Sequence, residues 1–252
     1  MKGERLCGNE SHPQKVDIGI SDRVPSAVSQ ASMVKLLMIG DSDIDFWPRD
    51  LLPALDGLKL ARTNKISLVV RGYSGATLAE IVSQMKNALT AIFETTTGND
   101  TGEALVIVAC AGENDIGNRS SSLDYSVSAL QSFLDVAFSM EERAKSLGVI
   151  FLGPKFEPWQ EDDPSSKKQY SIMSRAFARC CLRHRHADRI RYIDCLTMFC
   201  GVSAGLPGAT LVGRARAETK FFALDGLHLS PEGYKTWKRI VENRIRSLAC
   251  QT

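Results

Sequence analysis

Ser42 stands between Asp41 and Asp43 directly after an apolar run, KLLMI (35–39), and Gly40. Far downstream, Asp225 precedes His228 by three residues in the stretch DGLHLSPEGY. A hydroxyl, an imidazole and a carboxylate are the parts that acyl transfer needs: a nucleophile, a base of defined tautomer and an acid that orients the base. Ser42 can present its hydroxyl just past a strand, His228 can take its proton, and Asp225 can reach the other ring nitrogen. Donors for an oxyanion are the remaining requirement. The backbone N–H groups of Ser42 and Gly75 and the side-chain amide of Asn114 are candidates, since RGYSGAT and AGENDIG also follow apolar runs.

The same opening stretch permits a different chemistry. Asp41-Ser42-Asp43 and Asp43-Ile44-Asp45 after a strand resemble the aspartyl-phosphate motif of haloacid-dehalogenase-type phosphatases, where an acid attacks phosphorus and magnesium bridges the carboxylates. Order in the chain counts against it. Only about 60 residues separate the two acidic segments, they leave little room for the intervening Ser/Thr and Lys motifs, and DGLH would have no role.

Strands must carry these segments to one place. Apolar runs of strand length recur at 35–39, 67–70, 104–110, 149–153 and 189–194. Between them, 77–93 sets Leu78, Ile81, Val82, Met85, Leu89 and Ile92 at helical spacing. The spacing also predicts helices over 122–148, with Gly148 as terminator, over 166–186, and over 231–249 with Ser230 as cap and Pro231 in the first turn. Alternation of strand and helix predicts an α/β fold with right-handed crossovers and a mostly parallel five-stranded sheet covered on both faces. In such sheets the carboxyl ends of the strands form the ligand crevice, and all four polar segments lie at strand ends or just before the last helix.

Composition narrows the class of partner. The 31 basic and 29 acidic residues of the 252 nearly cancel, which argues for a small-molecule substrate and against nucleic acid as partner. No run of 18 apolar residues and no signal-peptide pattern is present, so no stable membrane insertion and a cytoplasmic location are expected. Seven cysteines without recurring spacing fit a reduced compartment, with Cys110 and the adjacent Cys180 and Cys181 as packing thiols rather than zinc ligands. Residues 1–33 are polar and aperiodic and are expected to be a poorly ordered leader, followed by a single domain over 34–252.

Taken together the segments resemble the SGNH (GDSL) hydrolases. Gly40-Asp41-Ser42 is similar to the nucleophile block of that family, Gly72 to Gly75 to the block with the oxyanion glycine, Gly112-Glu113-Asn114-Asp115 to the GxND block, and Asp225-Gly226-Leu227-His228 to the DxxH block. The resemblance implies a flavodoxin-like three-layer α/β/α sandwich and a metal-free, cofactor-free serine ester hydrolase, an esterase or lipase-type acylhydrolase. It implies Ser42, Asp225 and His228 as catalytic triad and Ser42, Gly75 and Asn114 as oxyanion hole. A catalytically inactive binding protein on the same fold is the remaining alternative. Asp43 departs from the pattern, because the family often has Leu or Ile there. Facing the pocket, its carboxylate would disfavour anionic acyl groups.

Other residues bear on the substrate. In GPKFEPWQ (153–160), Phe156 or Trp159 is expected to line the acyl site or to pack a surface loop. The long connection 201–228 has the length of a lid or binding loop and brings Phe221 and Phe222 near the pocket. Trp47 is expected in the core or the pocket wall. RHRHADRIR (183–191) is read as the solvated end of a helix.

Overall fold

Alternation of side chains about a strand explains the centre of the molecule. In β1 (Val34–Gly40) every residue is buried. Leu36 and Met38 point into one apolar layer, Leu37 and Ile39 into the other, as a strand covered on both faces requires. A computed structural model gives residues 34–53, 66–94, 104–117, 122–144, 146–200 and 216–249, all within one compact unit that spans 31–252. The expected leader, 1–33, lies outside the described residues.

After β1 comes a single turn of helix, α1 (Ser42–Asp45), and then β2 (Ile66–Gly72), α2 (Leu78–Glu94), β3 (Ala104–Cys110), α3 (Glu113–Gly117) and α4 (Leu123–Phe138). The chain continues through β4 (Ser146–Leu152), α5 (Pro164–Arg183), β5 (Ile190–Ile193), α6 (Cys195–Phe199) and α7 (Pro231–Ala249). The five strands run parallel in the order β2-β1-β3-β4-β5. The layers are those expected of an α/β/α sandwich. From β1 the chain goes first to β2 on one side and then crosses to β3 on the other, so the strand order reverses beside β1. That switch point is where a crevice opens in such sheets.

Each face is sealed by amphipathic helices. Leu78, Ile81, Met85, Leu89 and Ile92 of α2 join Leu130, Phe133 and Leu134 of α4 and Phe177 of α5 on one face. On the other, Trp237, Val241 and Ile245 of α7 pack with Phe199 of α6 and with Trp47. Trp47 is therefore core: its ring centroid lies 5.6 Å from that of Trp237. Each such aliphatic or aromatic side chain taken fully out of water contributes about 1.5–3 kcal/mol.

Local signals set the helix starts. Glu80 accepts from the Thr77 N–H at 2.7 Å and from its hydroxyl at 2.8 Å at the head of α2, Ser122 caps α4, and Asp163 with Pro164 opens α5. The helix read over 122–148 is shorter than its periodicity suggested. It ends at Phe138, and Ser146–Gly148 pair with Ala104–Val106 as the start of β4. Gly148 does not stop a helix. A Cβ there would lie 2.8 Å from Leu248 Cδ1, so its hydrogen admits α7 against the sheet.

The RHRHADRIR segment matches its reading as a solvated end only in part: Arg183, in the last turn of α5, and Arg185 are exposed. His184 is buried and stacks on Phe138 at 5.4 Å, His186 stacks on it at 4.4 Å, and Arg189 lies over the ring and pairs with Glu141 at 2.8 Å. The segment is a cover for Phe138. No described helix is long and apolar enough to cross a membrane. Cys110, Cys180, Cys181, Cys195 and Cys200 are free thiols.

Candidate active site

The nucleophile candidate sits where β1 turns into α1. Asp41 caps that turn, its Oδ1 accepting the Asp43 N–H at 3.1 Å. Two glycines let the turn approach the neighbouring strands. A Cβ on Gly40 would stand 2.3 Å from the Cys110 carbonyl oxygen, and one on Gly72 would stand 2.2 Å from Asp45 Cα. The strand register sets Gly40 beside both Gly72 and Cys110, so the segments after β1, β2 and β3, which carry Ser42, Gly75 and Asn114, leave the sheet side by side.

The imidazole candidate is held from the opposite side. Phe222 and Leu229 form an isolated antiparallel bridge, and the loop between them turns at Gly226, whose φ of 67° suits glycine. Asp225 anchors the loop: its Oδ1 accepts the N–H groups of Leu227 at 2.9 Å and His228 at 3.0 Å. Its Oδ2 accepts from His228 Nδ1 at 2.8 Å. The imidazole and these N–H groups hold the Asp225 carboxyl down at about 2, so Asp225 is ionised. Nδ1 then carries the proton and Nε2 is left as acceptor, the tautomer a general base needs. Phe46 supports the ring edge-on at 4.7 Å. Among the described residues no hydrogen bond joins His228 Nε2 to Ser42 Oγ. The Asp225–His228 pair is formed.

Gly75 has φ 77°, and a Cβ built on it meets nothing within 4 Å, so its backbone borders open space. Asn114 Nδ2 donates to the Ala76 carbonyl at 3.0 Å. A primary amide has two N–H groups, so this bond orients the group and leaves a second donor. Asp115, next in sequence, fastens the same loop by accepting the Leu78 N–H at 2.8 Å and the Ser126 hydroxyl at 3.1 Å.

Ser42, Gly75 and Asn114 line one cavity of about 870 Å³, together with Leu227, Trp159 and residues that the spacing of motifs did not single out. Chief among these are Glu113, Glu157, Gln160 and Tyr170. Trp159 is 61% exposed at this cavity. The other substrate candidates lie elsewhere. Phe156 is fully buried, edge-on to Tyr170 at 5.4 Å. Phe221 and Phe222 pack on Phe199 and are not among the residues of the cavity wall. Residues 201–215 of the expected lid lie outside the described residues.

Asp43 does not face the cavity. Both it and Asp41 are 1% exposed, and Asp43 Oδ2 is 2.7 Å from Lys155 Nζ, itself 1% exposed. Lys155 also reaches Glu113 Oε2 at 2.6 Å and Glu157 Oε1 at 3.6 Å, while its backbone N–H donates to Glu113 Oε1 at 2.8 Å. Sequence reasoning missed this lysine. The available signal was the pair Lys155 and Glu157 flanking Phe156 just after an apolar strand run. Burial pushes the Asp41 carboxyl up to about 8, with the neighbouring Asp43 charge adding to it, and burial raises Glu113 well above the carboxylate range. Three surrounding acids keep Lys155 firmly charged despite its burial.

Asp41, Asp43 and Cys110 place ligand-type atoms within 4.8 Å of one another. A phosphatase reading would need those acids to face substrate. Instead they are sealed below α1, with the Lys155 ammonium already beside Asp43.

No protein-family model and no curated protein sequence matches the chain. Solved structures do. A GDSL-like lipase from Bacteroides thetaiotaomicron aligns with a TM-score of 0.55 at 18% identity, over 84% of this chain and 88% of that one. An acetyl xylan esterase from Geobacillus stearothermophilus aligns with 0.55 at 18% identity, over 85% and 95%. Another acetyl xylan esterase gives 0.56 at 14% identity, over 84% and 98%. With its parallel sheet order, its two helical layers and these likenesses, the chain has the SGNH/GDSL hydrolase fold.

Proposed function

We propose that the protein is a serine ester hydrolase that cleaves carboxylic esters through an acyl-enzyme on Ser42. The observation that carries this reading is the Asp225–His228 pair, 2.8 Å apart with Nδ1 as donor, set beside a cavity that contains Ser42, Gly75 and Asn114.

In the proposed reaction the Ser42 hydroxyl oxygen bonds to the ester carbonyl carbon as its proton passes to His228 Nε2. The carbonyl oxygen becomes an oxyanion held by the Ser42 and Gly75 N–H groups and the free N–H of Asn114. One such donor is typically worth about 2.7–4 kcal/mol in the transition state. Collapse breaks the bond to the alkoxy oxygen, which takes the proton from the imidazolium and leaves as alcohol. Water then adds to the acyl-enzyme with His228 again as base, and the carboxylic acid departs. Asp225 stays ionised throughout and stabilises the imidazolium. No metal or cofactor enters.

Esters of small or lipid-like alcohols and acetylated sugars are the substrate classes in view. Two of the structurally similar proteins are acetyl xylan esterases, which supports trying the sugars first. Incubation with a fluorophosphonate tests the nucleophile directly. The expected result is a single covalent adduct on the peptide that contains Ser42, absent from Ser42→Ala. Labelling elsewhere, or none, would leave a binding protein on this fold as the better reading.

A further inference from the structure

The charges around the cavity point to a substrate property that the triad alone does not set. Its wall carries three carboxyl groups, Glu80, Glu113 and Glu157, of which burial holds Glu113 toward its neutral form, and among the described residues no Lys, Arg or His lines it. Behind the wall Lys155 is buried and shared among Asp43, Glu113 and Glu157. Asp41, in the same buried group, keeps its proton, whereas Asp225, paired with His228, is ionised. A chain of net charge +2 thus concentrates acid at this one edge.

Glu157 shows what the wall lacks. It is 2% exposed. Its Oε2 accepts from the Trp159 indole N–H at 2.7 Å and from the Tyr170 hydroxyl at 3.1 Å. Its Oε1 has no hydrogen-bond partner; Lys155 Nζ, at 3.6 Å, is beyond good hydrogen-bond reach. Gln160 Oε1, also in the wall, is buried without a partner as well. Acceptors are in surplus, and burial without a donor is costly. Beside them the exposed indole of Trp159 donates its N–H to a carboxylate, which leaves its ring face electron-rich, and the phenol ring of Tyr125 borders the same space. Aromatic faces next to carboxylates bind ammonium groups by cation–π and Coulomb attraction together.

We propose that the cavity selects esters bearing an ammonium group, which lies against Trp159 and Glu157 while the ester carbonyl meets Ser42. This rests on the ester-hydrolase reading of the same site. It predicts preference for a cation over a neutral group of the same shape, and discrimination against anions.

Two pairs of isosteres test it by calorimetric binding to the Ser42→Ala protein, where hydrolysis plays no part. Acetylcholine against 3,3-dimethylbutyl acetate places the charge on the alcohol. Betaine ethyl ester against ethyl 3,3-dimethylbutanoate places it on the acyl group. The expected result is binding of the cation on the order of tenfold tighter in at least one pair, weakened as salt is raised from about 0.05 to about 0.3 M. Glu157→Gln is expected to reduce the ratio. Because Glu157 is buried beside Lys155, Glu80→Gln, exposed and still able to cap Thr77, is the second variant and is expected to reduce it as well. Ratios within about twofold of unity in both pairs, without salt dependence, overturn the proposal. Turnover of the same esters by the native protein is read separately, so loss of the hydrolase reading and loss of the charge preference are distinct outcomes.

Discussion

Lys155 Nζ lies 2.7 Å from Asp43 Oδ2, so a lysine three residues past the end of β4 holds the residue that follows the proposed nucleophile. Through Glu113, at 2.6 Å, it also holds the residue that precedes Asn114. One buried ammonium therefore fixes the two segments that carry the proposed nucleophile and oxyanion donor. It gives the buried carboxylate at position 43 a cation as partner.

Removal of that ammonium leaves buried carboxylates without their cation, and breaking a buried pair from one side costs about 3–5 kcal/mol. Lys155→Met is expected to lose stability of that order in urea unfolding. Asp43→Leu with Lys155→Met should recover part of the loss, because the double variant removes the carboxylate that the lysine would leave unpaired. Equal losses in the single and double variants would show that Asp43 is not the acid that Lys155 chiefly serves.

Asp41 gives a pH signature. Its carboxyl titrates at about 8 in the fold against an ordinary 3.8, so between those values the folded chain keeps a proton that the unfolded chain has released. Stability from this group is present at low pH and declines as pH rises from about 4 to about 8. Asp41→Asn keeps an acceptor for the Asp43 N–H and is expected to flatten that decline. Urea midpoints across the window measure it, and an unchanged slope in the variant would assign the decline to another group.

Gly72→Ala puts a methyl group 2.2 Å from the Cα of Asp45, where backbone rather than a flexible side chain must move. The expected cost is about 1–3 kcal/mol, with a loss of ester turnover larger than the change in substrate binding, since the turn that moves carries Ser42. Native-like kcat in this variant would mean that the close approach of α1 to β2 does not position the nucleophile.

Asp225→Asn keeps the size of the side chain but allows the amide to favour the wrong imidazole tautomer. In another serine hydrolase that change lowers kcat about 10⁴-fold, and a comparable loss is expected here in steady-state hydrolysis. A change below about tenfold would remove Asp225 from the proposed triad.

Much of this architecture was legible in the sequence, because the signals are local. The five apolar runs became the five strands, and Leu78, Ile81, Met85, Leu89 and Ile92 form the buried stripe of α2. Ser42, Gly75 and Asn114 fell at the carboxyl ends of adjacent strands because spacing in an α/β chain fixes which residues leave the sheet together. What was not legible depends on pairing across the chain. Periodicity carried α4 through to Gly148, yet Ser146–Gly148 gain more as a sheet edge registered on Ala104–Val106. Phe156 and Trp159 are three residues apart in one loop, and only packing against Tyr170 decides that the first is core and the second borders the cavity. Lys155 stands 112 residues from Asp43, a separation at which one sequence gives no sign of a contact.

Whether Ser42 is the nucleophile of an ester hydrolase is decided by hydrolysis of p-nitrophenyl acetate by the native protein and by folded Ser42→Ala, both with excess chelator. Chelator-resistant turnover that falls by about 10⁴-fold or more in the variant is expected. Turnover that survives in Ser42→Ala, or that requires a divalent metal, would contradict it.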